Sequence, residues 1–513
     1  MDAHSNELII DTTVSLTHLM QQLAQNPTNA DAVAQVALFF LAEQKYTEAA
    51  AYFECAAALV PSPLFDLGRG KSWLEVGDHT KARQYFTHVL RDHPQSLEAL
   101  VGMGNSLFRT RNWAEALTYF SALEPLLPEH AELRRTMARC YNKQLMLDQA
   151  EHYFQACLAL DPNIMGAYIE LAWLHYEKGK TTQALNVFDA ALKRFGSLPD
   201  IIYSRSLIYL QIGEWTRAFE GYEQRWHTTD PGDQYRKTTA PLSSPHWDGV
   251  SSLEGKTVMA MIEQGAGDIL QFARYCWHLK QCGAAVDILA PDFMASIMQT
   301  VPWVRSVHSE YELIPPHDFH VSLMSCPYYF GTTQKTIPDL TPYLHAPYKR
   351  ARFSEKPTIG LVWAGSQAFL HDHHRSGDFH MYEEMINRHP ECTFVSLQMG
   401  PRASEAASFI ADGKVIDGTL NITNYADTAA ALESVDLLIS TCTSIVHLAG
   451  AMQRPTYVLL SAKADWRWLE KGSRTAWYPQ TTLYRQQELG DWRPVLAKVE
   501  KDLAVAMRER LNT

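Results

Sequence analysis

The chain has 513 residues, 46% of them hydrophobic and 20% charged, with a formal net charge of -12. That length exceeds what one hydrophobic core organises and predicts about two to four domains. The acidic balance argues against a nucleic-acid binder, because phosphate recognition wants a basic face, and leaves room only for a local basic cleft.

The N-terminal stretch "MDAHSNELIIDTT" begins acidic and lacks the basic-then-apolar pattern of a secretory signal. No apolar run approaches the roughly 18–20 residues that span a bilayer. The eight cysteines never form CxxC, which predicts reduced core residues in a cytoplasmic protein rather than a disulfide frame or zinc site. Residues 1–29 read as an N-terminal helical segment.

A repeat occupies residues 30–228. Ala49, Ala82, Ala116, Ala150, Ala184 and Ala218 recur every 33 or 34 residues. Four residues after each stands an aromatic, from Phe53 and Phe86 through Phe120, Phe154 and Phe188 to Tyr222. Twelve before each stands a small residue: Ala37, Gly70, Gly104, Ala138, Ala172 and Ser206. A small residue lets a partner helix approach, and the aromatic fills the gap on the same face. The six units resemble the tetratricopeptide repeat, which implies an α-solenoid whose surface binds a peptide or protein. A spacer or self-association scaffold is the plainer alternative.

A polar, proline-bearing linker follows over 229–249. Helical periodicity then yields to short apolar runs alternating with helices, the mark of a parallel sheet. "KTVMAMIEQGAGD" is a strand and glycine turn, "DILQFARYCWHLKQCG" an amphipathic helix, and "AAVDILAP" and "HDFHVSLMS" further strands. The pattern restarts with "TIGLVWAGS", "CTFVSLQMG", "SVDLLIST" and "TYVLLSA". Two Rossmann-like domains are expected, at 250–348 and 355–490, with a closing helix over 491–513.

Five segments carry a more specific likeness: "IEQGAGDILQFARY", "GLVWAGS…HDHHRS", "SLQMGP", "VDLLISTCTSIVHLAGAMQRPTYVLL" and "DWRWL". In this order they resemble the glycosyltransferase domain fused to bacterial tetratricopeptide repeats. That domain is related to the heptosyltransferases and more distantly to protein O-GlcNAc transferases. The resemblance implies a GT-B fold of two Rossmann-like domains and a metal-independent, inverting transfer from a nucleotide sugar to Ser or Thr of a protein. Flagellin is the acceptor it implies, held by the repeats. A non-catalytic adaptor with a decayed transferase domain, or a transferase acting on glycan or lipid, are the alternatives.

Such a transfer asks the protein for a base to take the acceptor proton and for positive or dipolar groups to hold the leaving phosphate. The "EQGAGD" loop is the acceptor-side candidate, with Gln264, Gly265, Gly267 and Gln271 lining it. The resemblance implies Asp268 as the base; a helix N-cap is the alternative reading of the same residue. On the donor side, Thr443 and Ser444 sit where a strand turns into a helix, suited to phosphate, and His447 lies one turn in. The family often has Asp-Thr where this chain has Cys442-Thr443, so no carboxylate role is assigned there. Gln398 is expected to meet base or ribose. Trp466 and Trp468 read as packing rather than stacking groups.

The stretch "WAGSQAFLHDHHRSGDFH" looks at first like a metal site. Its histidines lack a regular ligand spacing, and no metal cofactor is expected. Trp363, Gly365, Ser366 and Arg375 instead have the size and charge of a phosphate-binding loop, Arg375 offering a planar fork. His373 is the second candidate base.

Overall fold

The computed structural model describes residues 15–229, 242–309, 314–366 and 372–511. These fall into two compact units, Met1–Gly196 and Ser197–Thr513.

The first unit is a run of antiparallel helices: α1 (Leu16–Gln25), α2 (Ala30–Ala42), α3 (Tyr46–Leu59), α4 (Pro63–Val76), α5 (His79–Asp92), α6 (Leu97–Arg109), α7 (Trp113–Leu123), α8 (Ala131–Lys143), α9 (Leu147–Leu160), α10 (Met165–Glu177) and α11 (Thr181–Phe195). The repeat positions do what their sizes predict. A side chain at Gly70 would meet the Phe86 ring at 2.6 Å, and one at Gly104 would meet Phe120 at 2.5 Å. Phe86 also lies directly against Gly102 of the following unit. Each ring is therefore wedged between its own hairpin and the next, and Phe53, Phe86 and Phe154 are fully buried. The turn inside each hairpin has a left-handed residue at one register, at Gln44, Gly77, Arg111, Leu145 and Gly179. Glycine adopts that conformation freely, while the others need the surrounding packing to hold them.

The second unit begins inside the repeat segment, not after it. It contains the sixth hairpin, α12 (Pro199–Ile212) and α13 (Trp215–Tyr222). Trp215 of α13 stacks on Trp477 at 5.2 Å, and Phe219 meets Trp466 edge-on at 6.0 Å. Most of the expected linker, residues 230–241, lies outside the described residues.

Two parallel sheets follow. The first, in the order β3-β2-β1-β4, uses β1 (Thr257–Met261), β2 (Ala285–Leu289), β3 (Val304–His308) and β4 (Phe319–Ser322). The second, in the order β10-β9-β8-β5-β6-β7, uses β5 (Thr358–Val362), β6 (Thr393–Ser396), β7 (Val415–Asp417), β8 (Leu437–Thr441), β9 (Thr456–Leu460) and β10 (Thr481–Arg485). Read from β5 outward, that is the doubly wound order of dinucleotide-binding folds. The central strands β5 and β8 are buried along their whole length, as strands covered on both faces must be. Helices α14 (Ala266–Phe272), α15 (Cys276–Gln281) and α16 (Asp292–Met298) belong to the first sheet's crossovers. In the second sheet α17 (Tyr425–Glu433) leads into β8 and α18 (Ser444–Ala451) leaves it. The closing helix α19 (Arg493–Leu511) buries Val495, Val499, Leu503 and Met507 against this sheet. The fold is the expected one: helical repeats followed by two Rossmann-like α/β halves. Three strands were not foreseen, β3, β7 and β10.

Candidate functional site

Winding reverses between β1 and β4 in the first sheet and between β5 and β8 in the second. Ligands of open parallel sheets bind beyond the strand carboxyl ends at such reversals. The loops singled out in the sequence leave β1, β5 and β8, so both switch points carry candidate residues.

At the first, Glu263 and Gln264 leave β1. Glu263 is buried and paired with the wholly buried Arg225, whose Nε and Nη2 donate to its carboxylate at 2.9 and 2.7 Å. Gln264 takes a left-handed φ of 63° and donates to the Tyr222 hydroxyl. Gly265 opens α14, and its N–H donates to Asp268 Oδ2 at 3.0 Å. The capping role of Asp268 is therefore present. Its other oxygen, Oδ1, accepts from Arg467 Nη2. Burial raises the Asp268 carboxyl above its ordinary value, with Arg467 pulling the other way.

Arg467 is the residue that sequence reasoning passed over, although it stands in "DWRWL" between the two tryptophans that were weighed. It is 8% exposed. Its Nε donates to Gln271 Oε1 at 2.6 Å and its Nη1 to Asp465 Oδ1 at 2.9 Å. The guanidinium lies over Trp466, 4.4 Å from the ring centre. An arginine between two tryptophans read as packing groups was the available signal, since flanks that bury carry the charge inward, where it needs partners.

The glycine turn serves helix packing. A Cβ on Gly267 would come within 2.9 Å of His447 Cδ2 and 3.7 Å of the Ser444 backbone. So Gly267 lets α14 press against α18 across the two sheets. His447 is buried, hydrogen-bonded through Nδ1 to the Tyr478 hydroxyl at 3.0 Å and stacked on Trp468 at 5.4 Å. Burial, with Arg467 adding repulsion, lowers its pKa to about 3, so the ring is neutral. Trp468 also donates its indole N–H to Cys442 Sγ at 3.0 Å; burial pushes that thiol up to about 11, which keeps it protonated.

At the second switch point, Thr443 is the extended N-cap of α18 and makes no side-chain cap bond; its hydroxyl lies 3.4 Å from Ser440 Oγ. Ser444 Oγ is 2.6 Å from the Tyr425 hydroxyl. Gly365 donates its N–H to Ser376 Oγ at 3.0 Å, and Ser366 is exposed beside it. A side chain at Gly365 would collide with Asp372 and Arg375, whose ion pair measures 2.9 Å. Arg375 adds a minor share to the positive field that depresses His447, after burial and Arg467.

Two residues expected at the donor cleft lie inside the fold. Gln398 is buried, and its amide is spent on backbone: Oε1 accepts from the N–H of Trp363 and Ala364 at 3.0 and 2.9 Å, and Nε2 donates to Ala364 and Met399 carbonyls at 3.1 and 2.9 Å. It brackets the end of β5 and has no group left for a nucleotide. Trp363 is fully buried in the core behind the second sheet, edge-on to Phe379 at 4.8 Å. The side chain of His373 lies outside the described residues, as does all of His371. Among the described residues no cluster of three or more metal-ligating side chains occurs.

Comparison with known proteins bears on the helical part. Sequence profiles of the tetratricopeptide repeat match residues 74–140, 143–199 and 169–234. The helical hairpins are tetratricopeptide repeats. Protein FlbA of Caulobacter vibrioides is 24% identical, over 89% of this chain and 80% of its own length. General transcription factor 3C polypeptide 3 of Homo sapiens, at 24%, and a CTR9 homolog of Arabidopsis thaliana, at 28%, share 28% and 25% of this chain. This chain spans only 16% and 12% of those two proteins. Among solved structures, a tetratricopeptide repeat protein from Parabacteroides merdae matches 40% of this chain and 83% of its own at 18% identity and a TM-score of 0.35. YrrB, described as a TPR protein with an unusual peptide-binding site, matches 37% of this chain and 98% of its own at 19% identity and a TM-score of 0.33. Among the described residues no helix is long and apolar enough to cross a membrane.

Proposed function

We propose that this chain is a protein O-glycosyltransferase that moves a sugar from a nucleotide sugar to Ser or Thr hydroxyls, with the tetratricopeptide repeats docking the acceptor protein. Flagellin is the acceptor class favoured by the motif resemblance. The observation that supports the reading best is the meeting of α14 and α18, the helices that leave the two switch points, at Gly267 and His447. This brings an acid-base candidate and a phosphate-suited helix start to one place. Asp268 takes the acceptor proton, and Arg375 with the Thr443–Ser444 turn receives the leaving phosphate.

A second reading has its own observation. Asp268 is already engaged by Arg467 and by the Gly265 N–H, an arrangement that serves a non-catalytic adaptor equally well. Intact-mass analysis separates the two. Candidate acceptors, flagellin first, are expressed with and without this chain. Transfer adds the mass of a sugar to a Ser- or Thr-bearing protein, and the added mass identifies the donor sugar. Stable binding of an acceptor with no added mass overturns the enzyme reading in favour of the adaptor.

A further inference from the structure

The guanidinium of Arg467 stands between the two switch points and holds three partners drawn from both sides: Asp268 and Gln271 of α14, and Asp465 of its own turn. An arginine has five N–H donors, so one hydrogen on each terminal nitrogen is left over in this arrangement. Beside it, Gln271 is wholly buried and its Nε2 has no hydrogen-bond partner. A buried amide donor without an acceptor is costly unless something supplies one. The pair of features is a planar cation with donors in hand next to an orphaned N–H, and an oxyanion with several acceptor oxygens satisfies both. The backbone on each side of the Asp268–Arg467 pair passes through a non-glycine left-handed residue, Gln264 at φ 63° and Leu469 at φ 56°. Such conformations persist only where the surroundings hold them.

Resting on the proposed function, we infer that Arg467 is a donor-sensing switch: phosphate oxygens of a bound nucleoside diphosphate draw it off Asp268, so the base is released only when the donor is seated. The groups facing Asp268 decide the direction of the effect. Arg467 is the cation that favours the ionised carboxylate, while burial and the like charge of Asp465 oppose it. His447 on α18 is neutral and adds no charge. When Arg467 turns to phosphate, Asp268 keeps its burial and its anionic neighbour and loses its cation. Its proton affinity rises, which is what a general base requires. Without donor the carboxylate stays neutralised, and an acceptor hydroxyl is not activated for nothing. Asp268 is the group that touches the acceptor; Arg467 touches the donor phosphate and acts on the base through its departure.

The switch predicts that binding of a nucleoside diphosphate is accompanied by proton uptake. Full-length protein is titrated with UDP, GDP and ADP in turn by calorimetry at pH 6 and at pH 8, in buffers of different ionisation enthalpy, with the phosphate's own protons taken from the Asp268→Asn variant. The diphosphate that binds should carry a fraction of a proton into the complex at pH 6 and almost none at pH 8, where the raised carboxyl is still ionised and free to act as base. Asp268→Asn should bind it within about threefold of wild type and show no uptake beyond the phosphate's own. Arg467→Gln should weaken binding at least tenfold and also abolish uptake, and Arg467→Lys should restore part of both. An arginine that only ties the two halves together would shift the melting temperature in these variants and leave proton linkage unchanged. Tight binding with no proton uptake at pH 6 overturns the switch and leaves the transferase reading intact. Failure of the wild-type protein to bind any of the three diphosphates also overturns the switch, and the transferase reading then stands or falls on the intact-mass test alone.

Discussion

The boundary of the second unit makes a prediction that the repeat pattern alone gets wrong. Counting repeats suggests cutting the chain in the linker, near Ser244, to obtain the two Rossmann-like halves. The structure places α13 in their core. Trp215, Phe219 and Tyr222 are 2%, 3% and 4% exposed, and two of them pack on Trp466 and Trp477. Burying a large apolar side chain is worth roughly 1.5–3 kcal/mol, so losing three costs about 5–9 kcal/mol. The cut also removes Arg225, leaving the buried Glu263 unpaired, which costs about 3–5 kcal/mol more. The sum, roughly 8–14 kcal/mol, is comparable to the whole stability of a typical domain, about 5–15 kcal/mol. Fragments starting at Ser197 and at Ser244, both ending at Thr513, are compared by thermal unfolding followed by circular dichroism, and by size-exclusion chromatography. The Ser197 fragment should melt cooperatively as a discrete species. The Ser244 fragment should show no cooperative transition or should aggregate. If the Ser244 fragment melts cooperatively within a few degrees of the longer one, α13 and Arg225 contribute little and the accounting is wrong.

Further tests address single residues. Gly104→Ala puts a methyl against the buried Phe120 ring and should destabilise the first unit by about 1–3 kcal/mol in urea unfolding; an unchanged midpoint would mean the ring moves freely. Folded His447 takes up a proton only near pH 3, while the unfolded chain does so near its ordinary value of 6.5, so stability is full above pH 6.5 and lost as pH falls. Between pH 6.5 and 5 that loss is about 2 kcal/mol, and His447→Gln should remove it from the difference between denaturation curves at the two pH values. Asp268→Asn should cut sugar transfer about 10²–10⁴-fold, while Arg375→Ala should chiefly weaken donor binding; near wild-type transfer by Asp268→Asn would return that residue to a capping role. Transfer should continue in excess chelator, and its loss, with recovery on adding zinc, would make the histidine stretch a metal site.

Much of this protein is legible along the chain because the physics is local. A 34-residue recurrence of small residue, alanine and aromatic states which helix faces meet, and the rings at Phe86 and Phe120 seat where that pattern requires. Central strands announce themselves as continuous apolar runs because both their faces are covered. The unforeseen strands β3, β7 and β10 all lie at sheet edges, where one side faces no neighbour and "VRSVH", "VID" and "TTLYR" need no such run. The loops at the switch points were also readable, since glycine turns after strands are local features. What Gly267 makes room for, where the Gln398 amide points and which carboxylates Arg467 holds depend on residues far away in sequence. Asp268 and Arg467 are partners only because two sheets bring α14 and the turn after β9 together. Likewise the sixth repeat reads like the other five, yet its core is shared with the α/β half. Periodicity reports which face of a helix is apolar, and only the packed structure decides what that face is buried against.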